Sequence, residues 1–133
     1  MKGLRILVVD DEPGVRDFFV RLLHYQGCLV HAAKNAEEAF AALCNARRYD
    51  VVLVDLVLPG TEGLRLIRAM QYMTPGLHFL VVSGKLISPA EQTDLANLGV
   101  YFCAKPFRNE ELLQAVREAA EREARPEVAN AYA

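Results

Sequence analysis

The chain has no tryptophan and only three cysteines, Cys28, Cys44 and Cys103, set far apart with no CxxC pair among them. An odd number of widely spaced thiols makes neither a disulfide framework nor a zinc site. All three are expected to be small buried hydrophobes in apolar surroundings. His24, His31 and His78 fall in separate segments, so structural or surface roles are expected of them. No apolar run approaches the roughly 18 residues of a membrane span, and no membrane contact is expected. The formal net charge is −2 and no block of basic residues occurs, which leaves no electrostatic footprint for direct nucleic-acid contact. Neither GxGxxG after the first apolar run nor GxxxxGK[ST] is present, which disfavours nucleotide binding. Met1-Lys2-Gly3 leads directly into the first apolar run without a signal-peptide pattern, so a cytoplasmic location is expected.

What is present is a set of short, unbroken apolar runs. A chain of 133 residues, 53% of them hydrophobic, is one domain by size and can bury a proper core. Four of the runs end in a residue able to bind a cation or a phosphate. Arg5 to Val9 stops at Asp10-Asp11, Val51 to Val54 at Asp55, Phe79 to Val82 at Ser83, and Val100 to Ala104 at Lys105-Pro106. Short Val/Ile/Leu runs bounded by turn signals read as buried parallel strands. Helical patterns alternate with them. Val15, Phe18, Phe19, Leu22 and Leu23 give an amphipathic face after the first strand, with Pro13 in its first turn and Gly27 at its end. Cys28 to Ala33 form a short second strand, and Ala36, Ala39, Phe40, Leu43 and Cys44 a second helical face. Leu64, Ile67 and Met70 mark a third helix ending before Pro75-Gly76. Ser88 to Glu91 reads as a capping box opening a fourth helix with Leu95 and Leu98. Leu112, Leu113, Val116 and Ala120 define the fifth.

The sum is a (βα)5 unit, for which a doubly wound, flavodoxin-like α/β fold is the natural solution. Its five-stranded parallel sheet is expected in the order 2-1-3-4-5, an order taken from the flavodoxin-like class and not from the residues. Residues 1–122 form the domain, and residues 123–133 are a C-terminal tail or the start of a linker. Strands of a parallel sheet point one way, so their C-terminal ends share one edge. Asp10, Asp11, Asp55, Ser83 and Lys105 would converge there. Carboxylates sharing a cavity repel unless a cation neutralises them, and Mg²⁺ suits a few carboxylates plus waters and phosphate oxygens. With that ion bound, Asp55 could attack a phosphoryl donor, while Lys105 and Ser83 meet the incoming phosphoryl oxygens.

The segments VVDDEP, VLVDLVLPGTEG, VVSG and AKPF resemble the receiver domain of two-component response regulators, and the resemblance runs from Leu4 to about Glu121. It implies that Asp55 is the phosphoacceptor. It makes Asp11 a direct Mg²⁺ ligand beside Asp55, has Asp10 act largely through bound water, and adds the backbone carbonyl of Val57 to the metal shell. Ser83 and Lys105 become phosphoryl sensors, Phe102 an aromatic switch, and the bond before Pro106 a cis peptide. Val57 and Lys85 are expected to flank the path of the hydrolytic water and to lengthen the life of the phosphate. The implied partners are a histidine kinase or phosphotransfer protein and a downstream protein target or missing output domain. A phosphorylation-dependent homodimer is also implied.

Two other functions compete with the phospho-accepting switch. One is an aspartyl-phosphate phosphatase like the haloacid-dehalogenase enzymes, which carry DxDx[TV] where this chain has DDEP. The other is a pseudo-receiver used only for interaction, against which all five site residues argue. On the leading reading the chain is no enzyme beyond its own phosphorylation and dephosphorylation at Asp55.

Overall fold

In the computed structural model, residues 1–45, 48–55, 61–84 and 88–121 are described, without side chains at 61–64 and 91. Five strands alternate with five helices: β1 (Arg5–Val9), α1 (Pro13–Tyr25), β2 (Leu29–Ala33), α2 (Ala36–Cys44), β3 (Val51–Asp55), α3 (Thr61–Met73), β4 (His78–Ser83), α4 (Pro89–Asn97), β5 (Val100–Ala104) and α5 (Asn109–Glu121). The strands form one parallel sheet in the order β2-β1-β3-β4-β5, as expected.

The apolar runs form strands because both faces of the sheet are covered. Alternate residues of β1, β3 and β4 feed two separate cores. Ile6, Val8, Val51, Leu53, Leu80 and Val82 pack against Phe19 and Leu23 of α1 and Leu112, Val116 and Ala119 of α5. Leu7, Val9, Val52, Val54, Phe79 and Val81 pack on the other face, against Ala39 of α2 and Ile67 and Met70 of α3. Strands buried on both faces lose the polar alternation of a half-exposed sheet. β2 lies at the sheet edge and is largely exposed, and its sequence Leu-Val-His-Ala-Ala is correspondingly the least apolar.

Helix ends follow local chemistry. Pro13 occupies the first turn of α1, where its missing N–H costs nothing. Gly27 takes a left-handed φ of 89° beyond that helix, and its N–H meets the His24 carbonyl. Asn35 caps α2 by accepting from the Glu38 N–H at 2.8 Å, while Glu38 accepts in return from the Lys34 N–H at 2.8 Å. At the start of α5 the Arg108 N–H donates to Glu111 Oε1 at 3.3 Å. His78, 9% exposed, places Nδ1 2.6 Å from the Ala119 carbonyl near the end of α5. Gln71 on α3 donates to the Leu98 carbonyl at 2.5 Å, tying α3 to the turn before β5.

Three expectations need correction. Cys44 is exposed, whereas Cys28 and Cys103 are buried; Cys44 is the last residue of α2, whose fully buried stripe narrows to Ala39. Phe18 is 43% exposed despite fitting the α1 pattern; helical spacing marks a face, and only Phe19 and Leu23 on that face reach full burial. Leu98 falls just outside α4 and is 42% exposed, its N–H bonded to the Leu95 carbonyl in the closing turn. The Glu91 half of the anticipated capping box lies outside the described side chains.

Candidate functional site at the carboxyl edge of the sheet

The register fixes the height of each site residue. Val9 pairs with Val54, so Asp10 and Asp55 stand level on adjacent strands. Asp55 pairs with Val82 and Ser83 with Ala104, which puts Ser83 and Lys105 one step further out. By the alternation of the strands, Asp10 continues the face of Ile6 and Val8, Asp55 that of Val51 and Leu53, and Lys105 that of Tyr101 and Cys103. All three thus fall on the α1/α5 side. Ser83 and Phe102 belong to the opposite series, that of Val81 and Phe79. Phe102 is half-buried against this second core, and Tyr101 against the first, as the period of two requires.

Asp55 is almost fully enclosed, its side chain 1% exposed. Lys105 Nζ donates to both its carboxylate oxygens, at 2.8 and 2.7 Å. The peptide before Pro106 is cis, and the Lys105 N–H is bonded to the Ser83 carbonyl at 2.9 Å. Asp10 is 2% exposed. Its Oδ1 accepts from the Glu12 N–H at 3.0 Å, while its Oδ2 is buried without a partner. Burial, with the nearby charges of Asp55 and Asp11, outweighs the Glu12 bond and pushes the Asp10 carboxyl up to about 6. Asp11 is exposed at the rim. Ser83 is 6% exposed.

A hard cation fits this set. A buried carboxylate oxygen with no donor, beside a second and a third carboxylate, is an oxygen site awaiting positive charge. Among the described residues no three acidic, histidine or cysteine side chains form a metal cluster. Val57 and Lys85 lie outside the described residues. Two features went unnoticed in the sequence. Arg16 Nη1 donates to the Asp10 carbonyl at 2.9 Å, a backbone partner that no side-chain pattern marks. Beside Lys105 a groove of about 620 Å³ opens, with Val15, Phe18, Phe19 and Phe107 among its lining. Its three phenylalanine rings sit 5.5 to 6.5 Å apart.

The comparisons with known proteins agree with this architecture. Residues 6–117 match the model of the response regulator receiver domain. The chain is 32% identical over 112 residues to the probable transcriptional regulatory protein TcrX of Mycobacterium tuberculosis, covering 84% of this chain and 47% of that protein. It is 28% identical over 120 residues to sporulation initiation phosphotransferase F of Bacillus subtilis, covering 89% and 94%. The chain spans about half the length of the first curated relatives it matches. Among solved structures, the response regulator TrrA of Thermotoga maritima, in complex with Mg²⁺-BeF, superposes with a TM-score of 0.69 at 28% identity, covering 90% and 99%. Chemotaxis protein CheY4 of Vibrio cholerae superposes with a TM-score of 0.73 at 25% identity, covering 88% and 98%. No described helix is long and apolar enough to cross a membrane. The chain belongs to the response regulator receiver domain family of two-component systems.

Proposed function

We propose that this receiver domain accepts a phosphoryl group on Asp55 from the phosphohistidine of a kinase or phosphotransfer protein, in a Mg²⁺-dependent reaction. The observation that carries the reading is the enclosed Asp55 carboxylate with Lys105 on both oxygens and the unpartnered Asp10 Oδ2 beside it. Asp10, Asp11 and Asp55 would hold the ion with the Val57 carbonyl, and the bound ion supplies charge neutralisation for the phosphoryl oxygens. An Asp55 oxygen attacks phosphorus as the P–N bond breaks, and the electron pair of that bond leaves on the imidazole nitrogen, which takes a proton from solvent. Lys105 follows the charge from the carboxylate to the phosphoryl oxygens, and the Ser83 hydroxyl meets another of them. The only turnover required of the domain is its own phosphorylation and dephosphorylation.

The groove beside Lys105 supports a protein donor: it sets apolar rings next to the lysine that contacts the acceptor, as a docked helix would need. Phe102 shares a strand face with Ser83, which supports its role as the element that carries the change to the surface of α4, β5 and α5. A downstream target, a missing output domain or a second copy of the domain would read that surface, in the cytoplasm. Acetyl phosphate with Mg²⁺ should add one phosphoryl group, mapped to Asp55 by peptide analysis. Recovery of label on another residue, or turnover of a generic phosphomonoester, would overturn the reading.

A further inference from the structure

Four polar groups of Asp10 are placed, and three have partners. Its N–H meets the Ala33 carbonyl at 3.0 Å, its Oδ1 the Glu12 N–H, and its carbonyl the Arg16 guanidinium. Only Oδ2 is left. The Arg16 bond has a particular consequence, because the Asp10 carbonyl belongs to the peptide plane joining Asp10 to Asp11. Restraining that plane restrains the torsion after the Asp10 α-carbon and the one before that of Asp11, and so the directions in which the two side chains leave the backbone. Arg16 is itself anchored. Its N–H bonds to the Glu12 carbonyl at 2.9 Å as the first turn of α1 begins, so the guanidinium reaches back over a three-residue loop from a rigid helix.

We infer that Arg16 is a positioning residue for the cation end of the site, holding the Asp10–Asp11 peptide so that both carboxylates face one ion. The inference rests on the Mg²⁺-dependent reading above. Arg16 touches neither the ion nor the phosphoryl group. Two opposing effects make its role measurable. Its positive charge lies near a cluster of carboxylates and by itself opposes a cation. Its hydrogen bond favours the cation by preorganising the ligands. A residue present only for its charge would weaken Mg²⁺ binding, and its removal would strengthen it.

The test is Mg²⁺ titration of the unphosphorylated protein by calorimetry, with the Asp11 amide followed by NMR, in wild type, Arg16→Met and Arg16→Lys. The methionine variant keeps the apolar stem without donor or charge. It should bind Mg²⁺ roughly tenfold more weakly, the usual scale for loss of a partner that orients a metal ligand. Arg16→Lys, which keeps one donor and the charge, should recover part of the loss. Arg16→Gln repeats the test should the methionine variant fail to fold. Tighter binding in Arg16→Met would overturn the inference in favour of a charge effect. Unchanged affinity with a lowered melting temperature would overturn it in favour of a structural one. Failure of the wild type itself to bind Mg²⁺ would remove the functional reading and the inference with it, whereas normal wild-type binding beside unchanged Arg16→Met binding removes the inference alone.

Discussion

Asp10→Asn should make the metal-free protein more stable. The Asp10 carboxyl is raised from 3.8 to about 6, chiefly by burial and then by its acidic neighbours. A group whose folded pKa lies above its unfolded value binds its proton more tightly in the folded state. The stability it contributes is complete below about pH 4 and is lost as pH climbs through about 6. A rise from 3.8 to about 6 corresponds to about 3 kcal/mol, at about 1.4 kcal/mol for each tenfold change in proton affinity. Asparagine imitates the protonated form at every pH. Its carbonyl can keep the bond from the Glu12 N–H, and its amide replaces the unpartnered oxygen on the side facing Asp55. At about pH 8 in chelator the variant should gain about 2–3 kcal/mol, or roughly 6–10 °C in melting temperature for a domain of this size. At about pH 4 the gap should close, because wild-type Asp10 is then protonated. Millimolar Mg²⁺ should reverse the order by stabilising wild type more than the variant. Urea or thermal melts with and without Mg²⁺ read all three effects. Equal stabilities at about pH 8 without metal, or a gap indifferent to pH, would refute the electrostatic account of Asp10.

The other expected outcomes are these. Asp55→Asn should abolish phosphoryl uptake from acetyl phosphate while leaving the fold intact, as read by mass spectrometry and circular dichroism. A thiol reagent at mildly alkaline pH should modify Cys44 quickly and Cys28 and Cys103 slowly, because burial pushes the latter two thiols up; equal rates for all three would contradict the packing. His78→Leu should cost about 1–3 kcal/mol by stranding the Ala119 carbonyl near the end of α5, with faster amide exchange confined at first to that helix end. Phe18→Ser should change stability little, since the ring is already 43% exposed. It should slow phosphotransfer from a protein donor while sparing acetyl phosphate, and equal loss with both donors would detach the groove from partner docking.

What could be read in the sequence follows from what the fold buries. β1, β3 and β4 are enclosed on both faces, so their runs are apolar without interruption and their ends are marked by the first polar residue. Those polar residues are Asp10, Asp55 and Ser83, which is why the ends of the strands and the candidate site were legible together. Strand order was legible only through the fold class, since nothing in a Val/Leu run states its neighbour. The helices showed their faces but not how far each face is covered, and Phe18 and Cys44 fit a stripe that the sheet does not fully cover. Arg16 was invisible for a different reason. Its partner is a backbone carbonyl, a group every residue carries, so no side-chain pattern announces the contact.

The charges at the sheet edge show why the site is poised rather than settled. The buried carboxylates of Asp10 and Asp55 lie close together, and the exposed Asp11 adds its negative charge from the rim. Lys105 compensates one of them with a bidentate contact, and Arg16 contributes its charge to the carbonyl side of the Asp10–Asp11 peptide. Asp10 is left uncompensated, and its raised pKa records the cost. Removing Lys105 from Asp55 would leave a nearly enclosed carboxylate unpaired, a change that ordinarily costs several kcal/mol. Access to Asp55 therefore depends on a replacement for that positive charge. Under the proposed function, Asp10 and Asp11 would hold a divalent ion that supplies this charge, leaving the Lys105 ammonium free to meet an incoming phosphoryl oxygen. On this account Mg²⁺ and Lys105 act in sequence on the same carboxylate. Lys105→Met should then leave Asp55 dependent on Mg²⁺ for stability as well as for reaction, so that the variant's melting temperature responds to Mg²⁺ more steeply than the wild type's. A weaker Mg²⁺ response in Lys105→Met than in wild type would show that the lysine and the ion do not substitute for each other at Asp55.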